Sequence, residues 1–160
     1  MMKICKIFCV ALASLALLSG CSKSDDGGGN GGGNGDGTVV GQWHLVSWSA
    51  LSSADVYLSF NDTGSFEIYQ RVYSPSYVHY NGSYSFDKGV LSGLYSDGNS
   101  WGSSYKVTFQ SNGTQMTLTS ATSGGDVAVF VQSEIPDEIL SGDLTSSPQS
   151  RSGEEPFRFL

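Results

Sequence analysis

The sequence predicts an all-β fold: an eight-stranded antiparallel up-and-down meander barrel, with an open β-sandwich as the alternative. Three observations predict it. Apolar residues recur at every second position, and turn residues interrupt them every eight to twelve positions. No apolar stripe of helical period competes with that pattern. Every connection is about eight residues or shorter, which is hairpin length, whereas a Greek-key sandwich needs a longer crossing. Closing a meander of hairpins removes its two edge strands.

The chain of 160 residues begins with a segment of a different kind. Residues 1–20 read as a signal peptide, with Lys3 and Lys6 as the positive region and Ile7 to Leu18 as the apolar region. The apolar run is short for a membrane span. It ends at Leu18-Ser19-Gly20-Cys21, which resembles the bacterial lipobox. That resemblance implies cleavage before Cys21, a thioether to diacylglycerol, and acylation of the new amino terminus by a chain such as palmitate. Each buried methylene adds about 0.8 kcal/mol, so several acyl chains on one Cys anchor a protein durably. The other cysteines, Cys5 and Cys9, leave with the peptide, so the processed chain has no free thiol and no disulfide.

Residues 21–37 read as the lipidated Cys21 followed by a tether. Gly27 to Gly37 are Gly, Asn and Asp only, a composition with nothing apolar to bury. As a Gly-rich coil, Ser22 to Gly37 would span roughly 20–24 Å. The acidic start, Ser22-Lys23-Ser24-Asp25-Asp26, resembles the export signal of surface-exposed lipoproteins of some Gram-negative anaerobes, and equally suits a solubilising linker. Processing would leave six basic residues against 15 acidic ones, a net charge of −9. That charge favours projection away from an anionic membrane and excludes a phosphate-neutralising nucleic-acid binder. A single apolar run excludes a polytopic membrane protein of helices.

Residues 38–140 read as the barrel domain, with strands at about 41–49, 55–60, 65–73, 77–86, 90–95, 104–110, 115–120 and 126–133. Asn61-Asp62-Thr63-Gly64, Asp87-Lys88-Gly89, Ser96-Asp97-Gly98-Asn99 and Ser111-Asn112-Gly113-Thr114 supply turn residues that tolerate positive φ. Alternation places Val56, Leu58 and Phe60 on one face, with Phe66, Ile68 and Val72, then Tyr84 and Phe86, then Tyr105, Val107 and Phe109, then Met116 and Leu118. Val127 to Val131 are apolar on both faces, which predicts a strand covered on both. Pro136-Asp137-Glu138-Ile139-Leu140 reads as a helical turn. Residues 141–160 read as a disordered tail; its apolar end, Phe157-Arg158-Phe159-Leu160, is expected to fray, with docking on the barrel as the alternative.

Gly41-Gln42-Trp43 followed by Leu45-Val46-Ser47 resembles the Gly-X-Trp first strand of lipocalins. Leu58 to Phe66, and Gly82-Ser83-Tyr84-Ser85-Phe86 followed by Leu91, are similar to hairpins of small bacterial lipocalin-like domains. The resemblance covers about residues 40–140. It implies a lipocalin-like barrel whose floor is closed by Trp43 beside Gly41, and a small apolar or amphipathic ligand at the mouth.

Motifs for chemistry are absent. His44 and His79 lie on strands that are not neighbours, and no further His or Cys stands at ligand spacing, so neither a metal site nor a cofactor is expected. No Gly-X-Ser-X-Gly elbow occurs, and the Gly-rich stretch lacks the Lys of a phosphate loop. The chain is therefore not expected to be an enzyme. Aromatic residues are the enriched class, 16 within residues 38–140. Tyr77, Tyr80, Tyr95 and Trp101 are the candidate ligand-binding residues. Tyr77 and Tyr80 flank His79, while Tyr95 and Trp101 bracket a loop of small polar residues where an exposed ring suits recognition.

These readings converge on an outer-membrane or cell-surface lipoprotein whose barrel binds a small apolar or amphipathic ligand. The alternatives are a glycan-binding or adhesion module using exposed aromatics, and an accessory subunit of an outer-membrane complex. The expected partners are the membrane, through lipid on Cys21, and a small molecule or glycan, with no nucleic acid. Replacing Cys21→Ala should shift the protein from the membrane fraction to the soluble fraction of expressing cells. Wild-type protein already in the soluble fraction would refute the anchor.

Overall fold

The computed structural model describes residues 37–122, 124–146 and 157–160. The segment read as a signal peptide, Cys21, and all of the segment read as a tether except Gly37 lie outside the described residues.

Eight strands alternate direction and pair with their sequence neighbours: β1 Gly41–Trp48, β2 Asp55–Phe60, β3 Ser65–Arg71, β4 Tyr77–Asp87, β5 Val90–Tyr95, β6 Tyr105–Gln110, β7 Gln115–Ser120 and β8 Val127–Gln132. β8 pairs antiparallel with β1, so the meander closes into an up-and-down barrel of the lipocalin-like kind. The turns follow local chemistry. In the β2–β3 hairpin the Asn61 side-chain oxygen accepts from the Thr63 and Ser65 amides at 3.1 and 2.9 Å.

The interior is one continuous apolar cluster. Val56, Leu58, Phe60, Phe66, Ile68, Leu91, Val107, Met116, Leu118 and Phe130 all lie in it, as the alternation requires. Trp43 is fully buried; its indole N–H donates to the Val39 carbonyl at 2.8 Å and its ring lies 6.3 Å from that of Phe109. Gly41 precedes it at φ +135°, a conformation that side chains resist.

Three expectations need correction. Trp101 is not in an exposed loop: it is 5% exposed and part of the core. The connection from 96 to 104 folds back along β5, with the Trp101 amide donating to the Gly93 carbonyl at 3.0 Å. Gly93 has no Cβ, and the indole occupies that space; a Cβ there would stand 2.5 Å from the ring. The outer face of β8 is not covered: Val127 is exposed and Val129 and Val131 are half-buried. Period two and a single core explain why only Ala128 and Phe130 are sealed.

The tail is the third correction. Residues 141–146 are ordered into a turn and a short strand, and Phe159 and Leu160 pack into the core of the barrel; residues 147–156 lie outside the described ones. β4 is longer than β5 and pairs with it only from Gly82 onward, which leaves the Tyr77 end as an edge. There β9, Thr145–Ser146, pairs in parallel with Tyr77 and Val78. Between β8 and β9 the helical turn α1, Asp137–Leu140, sits on the outer wall, where Ile135 and Ile139 bury Tyr69 and Tyr77.

Truncating a buried Trp typically costs about 3–5 kcal/mol, so Trp43→Ala and Trp101→Ala should both destabilise the domain severely. Chemical denaturation checks this. A Trp101→Ala midpoint equal to wild type would place the residue outside the core.

Candidate functional site

The candidate site is the end of the barrel away from Trp43, where Phe159 and Leu160 join the core. Inward positions along β3 run Phe66, Ile68, Gln70, Val72, so an amide stands where the pattern calls for an apolar side chain. Gln70 is 2% exposed and is the one buried polar side chain among the described residues. A buried amide requires partners. Gln70 finds them on the C-terminal segment: its Nε2 donates to the Phe157 carbonyl at 2.8 Å, and its Oε1 accepts from the Phe159 amide at 2.9 Å.

Two hydroxyls complete the seat. Tyr95 on β5 donates to the Leu160 main-chain oxygen at 2.7 Å, and Tyr105 on β6 approaches the Phe159 carbonyl at 3.4 Å. Burial pushes the Tyr95 phenol well above its ordinary value and the Tyr105 phenol up to about 12. Both therefore remain neutral donors across the physiological range.

Rings take the side chains. Pairing between β1 and β8 slips between Leu45 and Ser47, a β-bulge that leaves Val46 and Ser47 both exposed and lets Trp48 pack on the core. Trp48 meets Phe159 edge-on at 4.9 Å, and Phe130 meets the same ring at 5.9 Å. Phe157 stays at the rim, 5.6 Å from Tyr73 and 6.0 Å from Trp48. Arg158 turns the other way: its guanidinium lies 4.6 Å over Tyr95 and 5.1 Å over Tyr80, and pairs with Asp97. The hydrogen bond from Arg158, with that from the Asn99 amide, holds the Asp97 carboxyl well below its ordinary value.

Of the four residues singled out from sequence, Tyr80 and Tyr95 come together beneath Arg158. Trp101 stands behind them, 5.0 Å from Phe66 and 6.2 Å from Tyr105, with an indole N–H that has no partner among the described residues. Tyr77 is not at the mouth. It lies on the outer wall, buried under Ile135 and Ile139. Sequence reading did not single out Gln70, Trp48, Tyr105 or Asp97 for the site, and preferred fraying to docking for the segment that fills it. The signals available were an amide on an inward position and a run of apolar residues closing a polar tail.

Tyr77 belongs to a second cluster. Its hydroxyl donates to Asp55 Oδ2 at 2.6 Å, where Arg71 also pairs at 2.8 Å, while His44 Nε2 lies 2.9 Å from Asp55 Oδ1. The His44 ring stacks on Tyr57 at 4.2 Å, and His79 stacks on Tyr69 at 4.4 Å. His44, Tyr57, Tyr69 and His79 are register partners across β1 to β4, so they form one row on the outer wall. The cluster clasps the wall to the α1 segment. Among the described residues no three His, Cys, Asp or Glu side chains are grouped to hold a metal ion.

No family model and no curated protein matches the chain.

Burial alone would raise the Asp55 carboxyl, but the Tyr77 hydroxyl, the His44 ring and the Arg71 guanidinium overcome it and hold the group below its ordinary 3.8. A depressed carboxyl stabilises the fold above the unfolded value, and that stabilisation is lost as the pH falls below it. The melting temperature should therefore drop as the pH falls from about 4 to about 2, and that of Asp55→Asn should drop less over the same interval. Parallel curves for the two proteins would show that the clasp does not contribute.

Proposed function

We propose that the chain is a lipid-anchored binding module of the outer membrane or cell surface, and that its barrel takes a small apolar or amphipathic ligand at the mouth. Cys21 carries the anchor in this reading, and the Gly-rich stretch holds the domain clear of the headgroups. The observation that supports the ligand seat is the way residues 157–160 occupy it. Apolar Phe159 and Leu160 go inward, polar main-chain groups meet Gln70 and Tyr95, and charged Arg158 stays at the rim. An amphipathic guest divides between an apolar cavity and a polar rim in the same way. Phe159 and Leu160 belong to the core cluster, so the room read for a ligand is the room these residues take. The unpartnered indole N–H of Trp101 is a further donor that a polar ligand atom would satisfy.

The glycan-binding alternative loses its support at the named residues. Tyr77, Tyr95 and Trp101 are all buried and offer no strip of exposed rings.

The full chain carrying Phe159→Asp and Leu160→Asp should vacate the seat, because neither carboxylate tolerates an apolar interior. Titrated with the neutral apolar dye N-phenyl-1-naphthylamine, this folded variant should show saturable fluorescence enhancement at least about tenfold tighter than wild type. Absence of saturable binding by both folded proteins would refute the ligand seat.

A further inference from the structure

We propose that the seat reads a peptide: it takes an extended aromatic–cation–aromatic–aliphatic segment of a second polypeptide in place of residues 157–160. This inference rests on the reading of the mouth as a ligand seat and names the class of its ligand.

The hydrogen bonds carry it. Gln70 accepts from one amide and donates to a carbonyl two residues earlier, and these two groups flank Arg158 on the same edge of an extended chain. An added β-strand is held through the same kind of main-chain group. A fatty acid, a sterol or another hydrocarbon ligand offers no amide donor and carbonyl acceptor at that separation. It would leave the Gln70 amide buried without partners, and such a group weighs heavily against the wrong guest. Tyr95 and Tyr105 extend the reading, each directing a hydroxyl at a main-chain oxygen of the next residues. The main chain of the segment is thus contacted at Phe157, Phe159 and Leu160.

The side chains set the pattern. The first aromatic position meets Trp48 and Tyr73 at the rim, and the third meets Trp48 and Phe130 inside. The cation lies between two tyrosine rings and Asp97. The whole chain carries net charge −7, so a cationic segment is also favoured at long range. Residues 147–156, Ser-Pro-Gln-Ser-Arg-Ser-Gly-Glu-Glu-Pro, join the seated segment to the barrel and contain no large apolar side chain. They tether the segment, and tethering raises its effective concentration at the seat. The segment therefore competes with any peptide from outside, and vacating the seat removes that competition.

The test uses full-length proteins and a fluorescein-labelled synthetic peptide of residues 154–160, read by fluorescence anisotropy. The Phe159→Asp, Leu160→Asp chain should bind the peptide about a hundredfold more tightly than wild type, the advantage a tether confers. Adding Gln70→Leu should weaken peptide binding about tenfold or more and should not weaken naphthylamine binding. Dye binding without peptide binding would overturn the peptide reading and leave the ligand seat standing. Peptide binding unchanged by Gln70→Leu would overturn the main-chain readout. Binding of neither probe by folded protein would refute both. Concentration-dependent dimers of wild type that the vacated variant does not form would make a second copy the occupant and overturn the proposal. Should the vacated variant not fold, hydrogen exchange on wild type decides. Millimolar unlabelled peptide must then speed exchange at the chain's own Phe159 amide, and unchanged exchange overturns the proposal.

Discussion

The pairing of β1 with β8 is the contact on which the rest of the molecule depends. Without it the meander has two open edges and no interior. With it, Trp43, Leu45 and Trp48 on β1 face Phe130 and Ala128 on β8 across a closed core. The pairing carries a bulge at Val46, and that one extra residue reverses the alternation for the remainder of β1. Trp48 would otherwise point to solvent. Instead it roofs the mouth and gives Phe157 and Phe159 a ring to pack on. Closure and the seat thus share one irregularity.

A second constraint is the accounting of buried polar groups. An apolar residue at Gln70 would satisfy the packing of β3 and leave nothing to explain. The amide there makes the mouth chemically incomplete without a partner presenting both a donor and an acceptor. Residues 157–160 complete it, and the neutral phenols of Tyr95 and Tyr105 do the same work from the opposite wall.

The outer wall obeys different rules. Tyr69 and Tyr77 point away from the core, yet both are buried, because Ile135 and Ile139 return to cover them. Asp55 gathers a phenol, an imidazole and a guanidinium beside that cover. The clasp holds the segment after β8 against β2 to β4, and β9 then pairs with the exposed end of β4. Outward aromatics on a barrel strand are therefore no measure of exposure when the chain comes back over them.

Much of the fold was legible locally. Period-two alternation and turn residues place all eight strands to within two residues, and β2, β5 and β7 at the observed bounds. Short connections identify the meander, since adjacent antiparallel strands need only hairpins. Pro136 and the two acids after it mark the helical turn. Each of these features is encoded by residues a few positions apart. What only the tertiary structure decided has contacts between residues far apart in the chain. Trp101 is core because Gly93 leaves room for it, Trp48 turns inward because its register against β8 slips, and Tyr77 is hidden by Ile139. Phe159 folds in where Gln70, 89 positions away, accepts from its amide, and Leu160 where Tyr95 donates to its main-chain oxygen. An alternation pattern reports which face a side chain takes. It carries no information about which distant segment will cover that face, because that depends on shapes and hydrogen-bond partners that exist only once the barrel has closed.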